Sequence, residues 1–78
     1  MGSNRTVSAI DRHVSSKLKA ARLEKGVSQL DAAAALGVTF QQIQKYENEM
    51  DRIAAGRLYE LAVYYGKPIG WFFPKPKG

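Results

Sequence analysis

The chain has 78 residues, of which 45% are hydrophobic and 24% are charged, so its size and composition are those of one small globular domain. It contains no cysteine, which excludes disulfide bonds, cysteine-ligated zinc or iron–sulfur sites and a thiol nucleophile. Twelve lysines and arginines against seven acidic residues give a net charge of +5, a balance that favours a polyanionic partner.

The chain shows no segment of the kind that inserts into membranes. Its longest uninterrupted apolar run, residues 32–36, is far shorter than the ~20 residues needed to span a bilayer. The first residues lead into no hydrophobic stretch of the signal-peptide type. We therefore expect a cytoplasmic protein without a membrane partner.

The first third of the chain predicts a helix over about residues 8–25, with Ser8 capping its start and Gly26 its end. Its apolar stripe, at intervals of four, four and three residues, consists of Ile10, Val14, Leu18 and Ala21.

Two short helices follow in close succession. Ser28 is a suitable N-cap for a second helix over residues 29–36, which ends at Gly37. Thr39 can then cap a third helix over about residues 40–48. A short glycine-containing turn between two helices is typical of the helix-turn-helix arrangement.

A fourth helix ends at Gly66, and Pro68 is expected to open a last helical turn that stops before Pro74. Because no segment shows the period-two alternation of a strand, we predict an all-α fold of five helices over residues 8–73, flanked by unstructured segments 1–7 and 74–78. The predicted core consists of Val14, Leu18, Ala21, Ala33, Leu36, Val38, Ile43, Leu58, Leu61, Ala62 and Tyr65.

The third helix has an acid-free polar stripe. Gln41, Gln44, Lys45 and Asn48 recur at i, i+3, i+4 and i+7, with Phe40 at the edge. Glutamine suits the major-groove edge of adenine, lysine suits guanine, and a phenyl ring can contact a thymine methyl. The alternative is an ordinary solvated face, but the absence of a carboxylate favours DNA.

The chain resembles the Cro/C1-type (XRE) helix-turn-helix family, whose compact domain is lambda-repressor-like. The resemblance covers about residues 10–73 and lies in Arg22, Gly26, Ser28–Gln29, Leu36–Gly37–Val38–Thr39, Ile43, Tyr46–Glu47, Leu61–Ala62 and Ile69–Gly70–Trp71–Phe72–Phe73. It implies a bacterial or phage protein associated with the nucleoid.

The resemblance also implies roles for individual residues. The base-contacting residues would be Phe40, Gln41, Gln44 and Lys45. The residues at the DNA backbone would be Gln29, Thr39, Gln42, Asn48 and Arg52. Arg22 and Glu47 would form a structural ion pair between the first and third helices.

The chain departs from the family pattern in three respects. Ala32 stands where a core leucine is usual, so Leu30 or an aromatic ring should fill the space. The loop after the third helix is acidic, and we expect Glu49 and Asp51 to point away from DNA while Arg52 points toward it. Phe40 replaces a residue that is often polar, so it either reads thymine methyls or belongs to the core.

The aromatic C-terminal region predicts a contact between two copies of the chain. A symmetric operator requires a two-fold symmetric protein, and an exposed apolar patch usually marks a protein contact. We assign the homodimer interface to Tyr59, Trp71, Phe72 and Phe73.

Catalysis is poorly supported. His13 has no second metal ligand at a useful spacing beyond Asp11 and is expected to be a solvated helix residue. No phosphate-binding glycine loop or nucleophile motif occurs, so we expect no enzyme activity, metal, cofactor or small-molecule ligand.

Two hypotheses remain. The first is a sequence-specific double-stranded DNA-binding transcriptional regulator, a repressor that binds a palindromic operator as a homodimer. The second is a protein-interaction module of the same fold, such as the antitoxin of a toxin–antitoxin pair, in which DNA binding is secondary. The acid-free stripe favours the first hypothesis, and the acidic loop slightly favours the second.

Overall fold

The computed structural model describes residues 8–75, which form four α-helices and a C-terminal 3₁₀ helix. The helices are α1 (Ala9–Lys25), α2 (Gln29–Leu36), α3 (Phe40–Glu47) and α4 (Ala55–Tyr65), and the 3₁₀ helix is Ile69–Phe72. The all-α prediction is confirmed, and no strand occurs within residues 8–75. The expected fifth helix is only a 3₁₀ turn, because a four-residue segment is too short for a stable α-helix. The predicted unstructured segment 1–7 and residues 76–78 lie outside the described residues.

The predicted caps of the first three helices are confirmed. Ser8 Oγ accepts a hydrogen bond from the Asp11 N–H at 3.1 Å, while the Asp11 carboxylate accepts one from the Ser8 N–H at 3.0 Å. Ser28 and Asp31 form the same reciprocal pair at the start of α2. Thr39 Oγ1 accepts from the backbone of α3, so each helix starts where the sequence predicts.

The turn between α2 and α3 depends on Gly37, whose φ of +70° lies in the left-handed region. The backbone reverses there, and the Val38 N–H donates to the Ala33 carbonyl at 3.0 Å. The turn is therefore only three residues long, and it brings α3 directly against α2.

The hydrophobic core lies between α1, α2, α3, α4 and the 3₁₀ helix. Its buried members are Val14, Leu18, Ala21, Ala32, Ala33, Ile43, Tyr46, Leu58, Leu61, Ala62, Tyr65 and Phe72. Leu36 and Val38 are only partly buried at its edge. Ile10 is 53% exposed, so the apolar stripe of α1 reaches the core only from Val14 onward.

The space beside Ala32 is not filled by Leu30, which is 65% exposed. Ala32 itself has no exposed surface and belongs to a cluster that includes three aromatic rings, those of Tyr46, Tyr65 and Phe72. Two of these rings, Tyr46 and Phe72, were absent from the predicted core.

None of the helices formed by residues 8–75 has the length and apolar character needed to cross a membrane.

Candidate nucleic-acid interface

The third helix, α3, has a buried side and an outer side that carries no acidic residue. Ile43, Tyr46 and Glu47 are buried against the other helices. Gln41 and Lys45 are exposed, and Gln44 is half-buried. The sole acidic residue of α3, Glu47, thus lies inside, and the outer face carries amide and ammonium groups only.

The start of α3 carries Phe40 and Thr39 side by side. Phe40 is half-buried, so part of its ring remains on the surface beside the outer face. The Thr39 hydroxyl accepts a hydrogen bond from the Gln42 N–H at 3.1 Å. Its own O–H remains available as a donor to an acceptor such as a phosphate oxygen.

The structure brings Arg22 and Glu47 together in a buried, two-contact ion pair. Arg22 Nε donates to Glu47 Oε2 at 2.7 Å, and Arg22 Nη2 donates to Glu47 Oε1 at 3.1 Å. A third guanidinium nitrogen, Nη1, donates to the Val27 carbonyl at 3.0 Å. The hydrogen bonds to Glu47 raise the pKa of Arg22 above its ordinary value. This network holds α1, the α1–α2 turn and the end of α3 in one arrangement.

Gln29 joins the same network from the first turn of α2. Its amide Nε2 donates to Glu47 Oε1 at 3.1 Å, which fixes the half-buried side chain beside α3. An amide nitrogen carries two hydrogens, so one donor remains for a phosphate together with the backbone N–H groups of the helix start.

Tyr65 lies on the inner side of this network. Burial raises the pKa of its phenol well above the ordinary value, and the negative charge of Glu47 acts in the same direction. The phenol therefore stays neutral at any physiological pH.

The loop after α3 returns toward that helix. Gln42 Nε2 donates to Asp51 Oδ2 at 3.3 Å, so the Asp51 carboxylate contacts α3, and the orientation of Glu49 and Asp51 away from DNA stays a prediction. The loop can return in this way because Glu49 adopts a φ of +62° and the Met50 N–H donates to the Lys45 carbonyl at 3.1 Å. This contact depends on the path of the loop, which no pattern in the sequence indicates.

Asn48 and Arg52 are both exposed, and both lie in the loop between α3 and α4. Hydrogen bonds from Ser8 hold the pKa of the Asp11 carboxyl below its ordinary value, and the charge of Arg52 contributes in the same direction. Arg52 therefore lies close to the N-terminus of α1.

The four residues assigned to the dimer interface do not form one surface. Phe72 has no exposed surface, so its assignment to an interface is wrong and it belongs to the core. Tyr59 is 63% exposed in a groove between α2 and α4, together with Leu36 and Val63. Phe73 is 41% exposed and borders a different, apolar groove that also contains Ile10 and Ile69. Trp71 is half-buried.

The described residues offer no metal centre, since no group of three or more histidine or acidic side chains within 8–75 could hold an ion. His13 is half-buried instead of solvated, and its Nε2 is buried without a hydrogen-bond partner in this part of the chain.

Comparison with known proteins agrees with this geometry. The family model described as "Helix-turn-helix" matches residues 18–72. An "uncharacterized transcriptional regulator in ATPase CF(0) region" from Rhodospirillum rubrum is 42% identical over 88% of this chain and 64% of its own length. An "uncharacterized HTH-type transcriptional regulator" from Sinorhizobium medicae is 41% identical over 88% of this chain and 50% of its own length. The chain therefore spans between half and two thirds of the length of these curated relatives.

Solved structures show the same fold. The DNA-binding domain of S. venezulae BldD superimposes with a TM-score of 0.75 at 26% identity, covering 86% of this chain and 100% of that domain. The hypothetical transcription factor NHTF from Neisseria superimposes with a TM-score of 0.77 at 19% identity, covering 94% of this chain and 92% of that one. The capped helices, the Gly37 turn, the buried Arg22–Glu47 pair and these matches together establish that the chain belongs to the Cro/C1-type (XRE) helix-turn-helix family.

Proposed function

We propose that this chain is the sequence-specific, double-stranded DNA-binding domain of a transcriptional regulator, with α3 as the helix that enters the major groove. The observation that carries the proposal is the acid-free outer face of α3. The single acidic residue of this helix, Glu47, is buried. Relatives described as transcriptional regulators and the similarity to the BldD DNA-binding domain support the same function.

The proposed base contacts come from Gln41, Gln44 and Lys45, with Phe40 against a thymine methyl. Gln41 and Lys45 are exposed whereas Gln44 is half-buried, which supports Gln41 and Lys45 as the principal reading residues. The hydrogen bond from Gln42 to Asp51 supports a contact of Gln42 with the DNA backbone at the edge of the footprint.

The proposed phosphate contacts flank α3 on both sides. The second amide hydrogen of Gln29 and the Thr39 hydroxyl lie before the recognition helix, and Asn48 and Arg52 lie after it. Such contacts position a protein on DNA without reading its sequence.

We further propose that the regulator is a cytoplasmic, nucleoid-associated repressor that binds a palindromic operator as a homodimer, without enzyme activity or a cofactor. Of the residues predicted for the dimer contact, Tyr59, Trp71 and Phe73 remain on the surface, and Trp71 and Phe73 line one groove while Tyr59 lies in another. Two recognition helices would occupy half-sites ~10 bp apart, centre to centre.

Selection of binding sites from a random duplex library with the purified chain tests this proposal. Enrichment of a palindrome with half-sites about one helical turn apart supports it. Salt-sensitive binding with no enriched sequence would contradict it, because only backbone electrostatics would then be present.

The second candidate function is a protein-interaction module of the antitoxin type. The observation in its favour is the exposed apolar surface of Ile10, Ile69 and Phe73 at the end of the domain. Under this hypothesis, the library selection would yield no sequence, and DNA affinity would not depend on Gln41 or Lys45.

A further inference from the structure

A groove lies on the side of α1 that faces away from α3, the helix proposed to read DNA. It has a volume of about 320 Å³ and runs between α1 and the C-terminal segment. Its apolar walls come from Trp71, Phe73 and Pro74, and its polar lining comes from His13, Lys17 and Lys75. Small-molecule binding pockets have volumes of about 300 Å³ or more and combine apolar walls with a few polar groups. This groove has both properties.

Two ammonium groups are held at the Trp71 ring. Lys17 Nζ lies 4.5 Å from the ring centroid, and Lys67 Nζ lies 4.7 Å from it. Cation–π attraction of this kind keeps the lysine side chains on the indole instead of letting them extend into water.

The positive charges of this cluster are only partly balanced. Lys67 Nζ is paired with Glu24 Oε1 at 2.7 Å. Within residues 8–75, neither Lys17 nor Lys75 has a carboxylate at ion-pair distance. Ammonium groups gathered at one ring repel each other, so a bound carboxylate would lower the energy of the cluster.

The groove and the recognition surface use different sides of α1. Arg22 faces α3 through Glu47, whereas Lys17 faces the C-terminal segment. Five residues of α-helix separate these side chains by about 140° around the axis. A duplex bound to α3 would therefore leave the groove open.

We propose that this groove binds an acidic peptide segment of a partner protein, with an apolar side chain of the segment against Trp71 and Phe73 and its carboxylates on Lys17 and Lys75. A peptide is the ligand proposed because the groove combines an apolar lining with the positive charges of Lys17 and Lys75. Carboxylates match the isolated ammonium groups, and an apolar side chain covers the partly exposed Phe73. A DNA phosphate would satisfy the charges but leave the apolar walls in water. This inference does not rest on the proposed DNA recognition. It does share Trp71 and Phe73 with the proposed dimer contact, so a peptide in the groove would compete with a dimer formed through these two rings.

The intrinsic fluorescence of the chain reports directly on this groove, because Trp71 is the sole tryptophan among the 78 residues. The probe is an acetylated and amidated decapeptide of alternating glutamate and leucine. We expect a saturable change in Trp71 emission that weakens with added salt. The matched peptide with glutamine in place of glutamate should produce no saturable change.

Charge-reversal variants separate this site from general electrostatics. The double variant Lys17→Glu, Lys75→Glu should lose about tenfold or more in peptide affinity, as expected for two reversed surface contacts. Lys19→Glu is the matched control, since Lys19 is exposed on α1 and does not line the groove. Circular dichroism of both variants verifies that the helices are retained.

Three outcomes would overturn the proposal. The glutamine peptide could bind as well as the glutamate peptide, or Lys19→Glu could weaken binding as much as the double variant. Inorganic phosphate or a random duplex could instead saturate the Trp71 signal while the acidic peptide does not, which would assign the groove to phosphate groups.

Discussion

Glu47 and Arg22 face each other in the interior of the domain, with 2.7 Å between Oε2 and Nε and less than a tenth of either residue exposed. Because Glu47 also accepts from Gln29, one carboxylate connects α1, α2 and α3. This relationship keeps the acidic residue of α3 away from the outer face and fixes α3 against the rest of the domain.

Glu47→Gln should lower the free energy of unfolding by about 3 kcal/mol, because it leaves the buried Arg22 guanidinium without a compensating charge. Urea denaturation followed by circular dichroism measures the change. Glu60→Gln is the control, since it removes an exposed partner of Arg57 and should change stability by less than ~1 kcal/mol. Equal effects of the two substitutions would mean that the buried pair has no special role.

Lys45→Ala should reduce discrimination by ~1–3 kcal/mol at one base-pair position of the selected operator, because its ammonium group is proposed to read a base edge. Gln41→Ala should do the same at a neighbouring position. Competition binding against a panel of single-base operator variants measures both effects. If Lys45→Ala changes neither affinity nor preference, α3 does not dock as proposed.

Arg52→Ala should weaken binding to operator and non-operator duplexes alike, because a phosphate contact is not sequence-specific. The plot of log affinity against log salt concentration should have a slope that is less steep by about one unit, because one phosphate contact is lost. Titrations of both duplexes at several salt concentrations measure the affinities and the slope. A loss restricted to the operator would place Arg52 at a base instead.

Asp51→Asn should strengthen binding to all duplexes, because it removes a negative charge beside α3, the helix proposed to read DNA, while keeping an acceptor for Gln42. The gain should shrink with increasing salt, as expected for a screened charge. The same titrations measure it, with Glu60→Gln on α4 as the charge-matched control. Unchanged affinity would mean that Asp51 lies too far from the bound duplex to affect it.

The acid stability of the domain should depend on the two capping aspartates. Hydrogen bonds from Ser8 and Ser28 hold the pKa of Asp11 and Asp31 below the ordinary value in the folded state. Their contribution is therefore complete above the unfolded-state pKa of about 4 and is lost as the pH falls through the lower folded-state pKa.

The double variant Asp11→Asn, Asp31→Asn tests this dependence. It should be less stable than the unmodified chain at pH 6, and the difference should diminish toward pH 2. Thermal unfolding at a series of pH values measures the difference. A difference that stays constant with pH would show that side-chain charge does not contribute to the caps.

The positions of the helices follow from local signals in the sequence. Ser8, Ser28 and Thr39 start helices because their hydroxyls satisfy backbone N–H groups a few residues away, and Gly37 ends one because it tolerates a positive φ. The acid-free stripe of α3 is equally local, since it depends only on helical periodicity. The pairing of Arg22 with Glu47 was implied by the family resemblance, because two residues 25 positions apart in the chain share no local signal for it.

The sequence by itself thus determined the helices, their caps and the face of α3 that is proposed to read DNA, because each of these depends on residues within about two turns of one another. Only the tertiary structure decided that Asp51 turns toward Gln42, that Phe72 is buried while Phe73 is exposed, and that Lys17 and Lys67 meet at Trp71. These relationships depend on the path of loops and on how separate elements pack against each other. Residues that are distant in the chain make contact because their shapes and charges are complementary in the folded domain, and a periodic sequence pattern contains no information about such contacts.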